Sequence, residues 1–276
     1  MLSIIIPANN EEGYIGTCLT HLLASEDPGG PVQVIVVANG CRDDTVGEAK
    51  AKSDAFSTRG WRLDVLDLPE GGKIRALNAG DKEAIYDRRI YLDADIVPTP
   101  QLISALAKEL ARSEPSFSGG TLMIPNARSF ISRQYARFWL RLPFLAHHIH
   151  GCGVYAVNRT GRKRWREFPS VIADDGFARL QFEPHEMYGA KATYSWPITE
   201  GFANLVRVRR RQDEGSAEIR RLYPELAARA EPTAPNLGQK IGLALRDPIG
   251  FAVYSAVAIA VRLPAFKTQS RWYRGR

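Results

Sequence analysis

At 276 residues the chain can bury a full hydrophobic core, and its 45% apolar and 24% charged residues exclude a disordered segment or a disulfide-stapled miniature. The net charge of +7 points to acidic partners such as phosphates, anionic lipid heads or nucleic acid, without choosing among them. Cys18, Cys41 and Cys152 have no paired spacing, which excludes a zinc ribbon and fits reduced thiols in the cytoplasm.

Residues 3–7, Ser-Ile-Ile-Ile-Pro, form a β-branched run ending in proline and predict a first core strand. Without a basic leader or a cleavage site, this start is not a signal peptide. Ile15, Leu19, Leu22 and Leu23 then recur at helical spacing over residues 11–24. After the turn cluster Asp27-Pro28-Gly29-Gly30-Pro31, residues 32–38 predict a second strand, closed by Asn39-Gly40. Asp43, Asp44 and Thr45 offer caps for a helix reaching Lys52. A third strand at 62–68 leads through Gly71-Gly72 into a helix near 74–86, and a fourth strand at 89–92 ends in Asp93-Ala94-Asp95. Leu102, Ile103, Leu106 and Leu110 mark one face of a helix over 101–112.

This alternation predicts an α/β fold with a mostly parallel central sheet flanked by helices. Ligands of such sheets bind beyond the carboxyl ends of the strands. Residues 9–12, 39–44, 71–73 and 93–95 all fall there. Two carboxylates one residue apart at the end of a buried strand are costly to desolvate, and a cation or a dense hydrogen-bond network usually offsets that cost.

Beyond Ser113 the pattern is less regular. Residues 117–124 and 153–157 read as strands, 130–145 as an aromatic helix, and 194–197 as a short strand. A second acidic pair, Asp174-Asp175, opens a predicted helix within 172–182, and 231–235 reads as a linker. The apolar stretch 248–261, extended to 266, falls short of the roughly 20 residues that a spanning helix needs. Its basic tail, 267–276 with Trp272 and Tyr273, suits an anionic membrane surface. A core-packed C-terminal helix and a peripheral anchor both remain open.

Five segments, in order, carry a resemblance to the family 2 glycosyltransferases of the GT-A fold. They are Ile4-Ile5-Ile6-Pro7-Ala8-Asn9-Asn10-Glu11-Glu12; Val34-Ile35-Val36-Val37-Ala38-Asn39-Gly40 with Asp43-Asp44-Thr45; Gly72-Lys73 with Ala76-Leu77-Asn78-Ala79-Gly80; Leu92-Asp93-Ala94-Asp95; and Ala173-Asp174-Asp175. Each is weak alone, but the ordered set is specific and covers about residues 2–212. The resemblance implies a transferase domain over 1–230. Its nucleotide-sugar half would be 1–112 and its acceptor half 113–230; residues 231–276 read as a helical C-terminal extension, packed on the domain or associated with a membrane.

The resemblance also implies roles. Asp95, with Asp93, would hold Mg²⁺ or Mn²⁺, since hard oxygen ligands share such ions with phosphate oxygens. Pro7, Ala8, Asn9, Glu11, Asn39, Lys73, Asp93, Ala94, Arg207 and Arg210 would contact the nucleotide-diphosphate sugar. Asp175 would be the general base of an inverting transfer, with Asp174 its supporting neighbour. Asn39 departs from the aspartate of many relatives, which leaves the base open, with uridine the best fit. Arg211 stands where processive relatives carry tryptophan, which favours transfer of a single sugar.

Structural readings stand beside these. Asp93 and Asp95 could cap the helix near Thr99, Glu11 and Glu12 could favour a helix N-terminus, and Asn39-Gly40 could be a plain turn. Lys73 and the 207–211 arginines could be solvated, and Asp174-Asp175 could cap a helix. His147, His148 and His150 lack a metal-binding spacing. Trp139, Phe144 and Trp165 could stack on sugars or pack in the core.

The expected enzyme is a metal-dependent hexosyltransferase. It would serve bacterial cell-surface or exopolysaccharide synthesis on a glycan or lipid-linked acceptor, from the cytoplasm or the inner membrane face. The alternatives are an inactive sugar-nucleotide-binding scaffold and a sugar-phosphate nucleotidylyltransferase. The latter calls for a glycine-rich basic loop where this chain has Ala8-Asn9-Asn10-Glu11-Glu12. Nucleic-acid binding has only the charge in its favour.

Overall fold

The first strand, β1 (Leu2–Ala8), and the second, β2 (Val32–Asn39), are buried almost throughout, as their mostly apolar sequences require of central parallel strands, and the buried Ser3 hydroxyl donates to Gln33 at 2.8 Å. β3 (Arg62–Leu68) lies at the sheet edge, and its polar Arg62, Asp64 and Asp67 suit that exposed position. β4 (Arg89–Leu92) pairs with β1 on the other side, so β3, β2, β1 and β4 are parallel. The remaining strands are β5 (Val97–Pro98), β6 (Phe117–Met123), β7 (Val154–Val157) and β8 (Met187–Ser195). They complete one eight-stranded sheet in the order β3-β2-β1-β4-β7-β6-β8-β5. β7 runs antiparallel to β4 and β6, β8 parallel to β6, and β5 antiparallel to β8.

This computed structural model describes residues 1–143, 145, 149, 151–229 and 235–263. Phe144, His147, His148, His150, most of the 231–235 linker and the tail with Trp272 and Tyr273 lie outside the described residues. The chain forms two compact units. One holds residues 1–123, 151–170 and 181–196 and contains the whole sheet; the other holds 124–150, 171–180 and 197–276.

In the sheet unit the helices are α1 (Glu12–Leu23), α2 (Thr45–Lys50), α3 (Ser53–Thr58), α4 (Lys73–Glu83), α5 (Leu102–Glu109) and α7 (Arg159–Arg162). The helix expected to reach Lys52 stops at Lys50, and α3 follows separately. α4 lies directly on the sheet because it carries Gly80, where a Cβ would come within 2.5 Å of Ile5 and 3.3 Å of Val37. Across β4, β7 and β6, Tyr155 stacks between Tyr91 and Phe117, with ring centroids 4.8 and 5.6 Å away. Under Tyr91, buried Asp81 binds Arg89, Arg162 and the tyrosine hydroxyl, so one acid serves three donors. Of the strand expected at 194–197, only Tyr194 and Ser195 are strand, as the end of the longer β8, whose inward residues alternate with exposed ones.

The second unit is helical: α6 (Phe130–Trp139), α8 (Asp174–Arg179), α9 (Phe202–Leu222), α10 (Pro224–Ala228), α11 (Leu237–Arg246) and α12 (Pro248–Ala260). α12 packs on α6, with Tyr254 stacked on Tyr135 at 5.3 Å and Phe251 edge-on to Phe138 at 5.9 Å. Asp247 caps the N-terminus of α12 and is bonded to Arg137 and Arg141. Burial acts to raise the pKa of Asp247. The Arg137 hydrogen bond, the Gly250 N–H and the two arginine charges outweigh it and hold the carboxyl below its usual range. Among the described residues no helix is long and apolar enough to cross a membrane.

Candidate active site

At the carboxyl end of β1 and β2 the backbones are tied together by amides. Asn39 is buried and donates from Nδ2 to the carbonyls of Ala8, at 2.7 Å, and Val37, at 3.2 Å. Its Oδ1 accepts from the N–H of Gly72 at 2.8 Å. This position needs a donor and an acceptor on one short side chain, which asparagine has and aspartate lacks. Asn9 in turn donates to the carbonyls of Asn39 and Gly40. The glycines permit this closure: Gly40 has φ +57°, and a Cβ there would lie 2.5 Å from the Gly71 nitrogen. Pro7 is half-buried and Ala8 fully buried, so Ala8 packs beneath this corner.

The loop after β1 is braced from the α2 side. The N–H of Glu11 donates to the Thr45 hydroxyl at 2.8 Å, and that hydroxyl donates to Asp43. Asp43 also accepts from the Glu12 N–H at 3.1 Å. Burial pulls the pKa of Asp43 upward, but these hydrogen bonds prevail and hold it low. Glu11 is buried, at the start of α1.

Asp93 and Asp95 flank a tight turn just past β4. The Asp93 N–H donates to the Gly153 carbonyl at 2.8 Å, and the Ile96 N–H closes back on the Asp93 carbonyl at 3.1 Å. Lys73, the first residue of α4, places Nζ 2.9 Å from Oδ1 of Asp93. Asp95 is buried, and its Oδ2 accepts from the indole of Trp196 at 3.1 Å. Ala94 between them is buried, so the two carboxylates are the polar content of the turn. Burial pushes the Cys18 thiol up, and the charges of Asp95, Asp93 and Glu11 push it the same way, so three carboxylate fields meet at one point of α1.

Among the described residues no three His, Cys, Asp or Glu side chains form a metal-holding group. The turn offers two carboxylates, fewer than the roughly six oxygens that Mg²⁺ or Mn²⁺ takes. That donor set fits an ion completed by substrate phosphate oxygens and water rather than an all-protein cage.

In the helical unit, Asp174 is buried and Asp175 partly exposed in the first turn of α8. Asp175 accepts from the Gly176 N–H at 2.7 Å. α9 sets this segment in place. Glu218 is buried and accepts from the Ile172 N–H at 2.8 Å, and a Cβ on Gly215 would lie 3.0 Å from Ala173. Arg207 donates to Asn204 at 2.9 Å. Arg210 caps the far end of α12, donating to the carbonyls of Val261 and Leu263. Trp139 and Trp165 are buried in their own units, as core residues are.

Residues 3–188, more than half of the chain, match the family described as Glycosyl transferase family 2. The chain belongs to that family. This family 2 glycosyltransferase is 35% identical over 98 residues to the 4,4'-diaponeurosporenoate glycosyltransferase of Staphylococcus aureus (strain USA300). The matched stretch is 34% of this chain and 24% of that relative, so the chain spans about a quarter of the curated relatives it matches. Solved structures share the GT-A fold. A mannosyltransferase from Pyrobaculum calidifontis in complex with GDP-Man and Mn²⁺ has TM-score 0.60 and 19% identity over 96% of this chain and 76% of that one. S. aureus TarS 1-349 in complex with UDP has TM-score 0.56 and 15% identity over 95% and 75%. Glucosyl-3-phosphoglycerate synthase from Mycobacterium tuberculosis, with Mn²⁺, UDP and glucosyl-3-phosphoglycerate, has TM-score 0.53 and 20% identity over 84% and 81%.

The sheet unit of this family 2 glycosyltransferase brings together Pro7, Ala8, Asn9, Glu11, Asn39, Lys73, Asp93, Ala94 and Asp95. Asp174, Asp175, Arg207 and Arg210 belong to the helical unit. Sequence reasoning missed Trp196 and Glu218. Trp196 lies one residue past β8, where nothing in the sequence signals a bond to Asp95. Glu218 sits in a charged run that reads as a solvated face.

Proposed function

We propose that this chain is an inverting, hexosyl-transferring enzyme that moves a sugar from a nucleotide-diphosphate donor, with uridine as the base, to a hydroxyl of a glycan or lipid-linked acceptor. The observation that carries this reading is the Asp93–Asp95 turn at the carboxyl end of β4, with Lys73 on one carboxylate and Trp196 on the other. Complexes of related folds with UDP, with GDP-Man and Mn²⁺, and with UDP, Mn²⁺ and glucosyl-3-phosphoglycerate support a nucleotide-sugar donor and a divalent ion.

In this reading Asp95 and Asp93 hold Mg²⁺ or Mn²⁺, which when bound stabilises charge on the leaving diphosphate. Lys73 keeps Asp93 in position and adds a positive charge beside the diphosphate. Asp175 takes the proton from the acceptor hydroxyl as its oxygen bonds to the anomeric carbon and the bond to the diphosphate breaks. Asp174, buried, fixes the turn that presents Asp175. Pro7, Asn9 and Glu11 border the nucleotide, and Asn39 supports that pocket through the backbone. Arg207 serves the diphosphate, while Arg210 is committed to the end of α12. The pathway is bacterial cell-surface or exopolysaccharide synthesis at the cytoplasmic face of the inner membrane, with residues 248–276 in peripheral contact with anionic lipid.

A panel of nucleotide sugars, assayed for released nucleotide diphosphate with and without Mn²⁺, tests the reading. Asp95→Ala and Asp175→Asn are each expected to lower turnover by about 10²–10⁴-fold, the contribution of a positioned acid–base or charge-stabilising group. Turnover that survives both substitutions sinks the mechanism.

A further inference from the structure

Helices α11 and α12 each present large apolar side chains to solvent. On α11, Leu237, Ile241 and Leu245 recur every fourth residue, at 74%, 53% and 79% exposure. Ile249, Ile259 and Leu263, all about half-exposed or more, form a second apolar stripe on α12 and just past its end. A single exposed leucine is ordinary, but six large aliphatic side chains within residues 237–263 are a surface that calls for a partner. The opposite side of α12 is already taken, since Phe251 and Tyr254 pack on α6 and Val257 is fully buried.

Charge distinguishes the possible partners. From residue 235 onward the sequence has seven basic residues and one acid, a surplus of six in a chain whose total is +7. Lys240, Arg246 and Arg262 lie within the helical stretch, and the last ten residues add four more. The single acid, Asp247, is buried against Arg137 and Arg141 and presents no charge outward. A second copy of this face would oppose like charges. An anionic bilayer supplies both an apolar layer for the leucines and negative headgroups for the bases.

We propose that α11 and the outward face of α12 form an in-plane docking surface for an anionic membrane. α11 enters the boundary between headgroups and acyl chains, and α12 fastens it to the folded helical unit without spanning the bilayer. Asp247 is the joint, ending one helix and capping the next while Arg137 of α6 and Arg141 just beyond it hold its carboxylate. This inference places the leading contact on 237–246, ahead of the segment 248–276. It is independent of the catalytic reading.

The 276-residue chain is incubated with phosphatidylcholine vesicles with or without 30% phosphatidylglycerol at about 0.15 M salt, the regime in which surface charges act within about 8 Å. At least tenfold stronger sedimentation with the anionic vesicles is expected. Leu237→Glu with Leu245→Glu is expected to abolish it while leaving the melting temperature unchanged, because both side chains are exposed. An environment-sensitive fluorophore on Ile241→Cys is expected to shift to the blue on vesicle addition. Equal binding to both vesicles, self-association in place of vesicle binding, or a fluorophore that stays aqueous while the protein sediments would each overturn the proposal. Vesicle binding is read without any sugar nucleotide, so its failure is separate from failure of the transferase reading.

Discussion

Nζ of Lys73 lies 2.9 Å from Oδ1 of Asp93, joining the first residue of α4 to the turn that follows β4. Both side chains are about a quarter exposed, so the pair contributes little to folding, on the order of 1 kcal/mol or less. Its value is positional. Lys73→Met is expected to leave the melting temperature within about 2–4 °C. It should lower release of nucleotide diphosphate by about 10–100-fold, as loss of a charge-assisted hydrogen bond does. A Lys73→Met protein that keeps full turnover would remove this lysine from the donor site.

Trp196 donates its indole N–H to Asp95, and Trp196→Phe deletes that donor while keeping the aromatic bulk. Asp95 then loses one of the groups that orient it. The expected outcome is a Mn²⁺ requirement raised by about tenfold or more, with the maximal rate at saturating metal lowered less. A metal titration of turnover reads the difference. An unchanged requirement would leave Trp196 a packing residue.

Asn39→Asp is a near-isosteric change with a large expected effect. It replaces the amide that donates to Ala8 and Val37 with a carboxylate facing two carbonyls in a buried position. Loss of the donor and burial of a charge together are expected to cost about 3 kcal/mol or more. Urea titration measures this as a lower midpoint at constant slope. Stability equal to that of the parent would show that the corner does not depend on the amide.

Asp247 sets a pH dependence. Its folded pKa lies below the unfolded value, so its contribution is present above the ordinary carboxylate range and is lost as pH falls through the folded pKa. The melting temperature is therefore expected to fall below about pH 4. Asp247→Asn should lower it near neutrality and flatten that part of the acid limb. A variant with an unaltered profile would show that the joint between α11 and α12 is held by packing instead.

The parallel half of the sheet was legible because β1, β2 and β4 are largely buried and therefore read as mostly apolar runs. The positions of Asn9, Asn39 and Asp93 were legible for the same reason, since they sit where those runs stop, whereas Lys73 follows the half-exposed edge strand β3. What the sequence did not disclose depends on side chains that meet from distant segments. Asn39 was read as a contact for the base, and its hydrogen-bonding groups serve backbone partners at Ala8, Val37 and Gly72. Arg210 matched a family spacing, and its guanidinium closes the end of α12. β8 was shortened in the sequence reading because its inward residues Ala190 and Ala192 are small and weak strand formers; pairing with β6 supplies what the local pattern lacks.

β4 is four residues long, about 13 Å, with the Asp81–Arg89–Arg162 cluster at one end and Asp93 at the other. Both ends are fixed, so the strand acts as a spacer of set length. The Asp27–Pro31 turn can accept inserted residues, because loop closure grows only slowly with length. One residue added between Arg89 and Tyr91 would turn Tyr91 away from Tyr155 and carry the aspartates to the opposite face. In a library of single-residue insertions, active clones should therefore be found at the turn and be missing from β4.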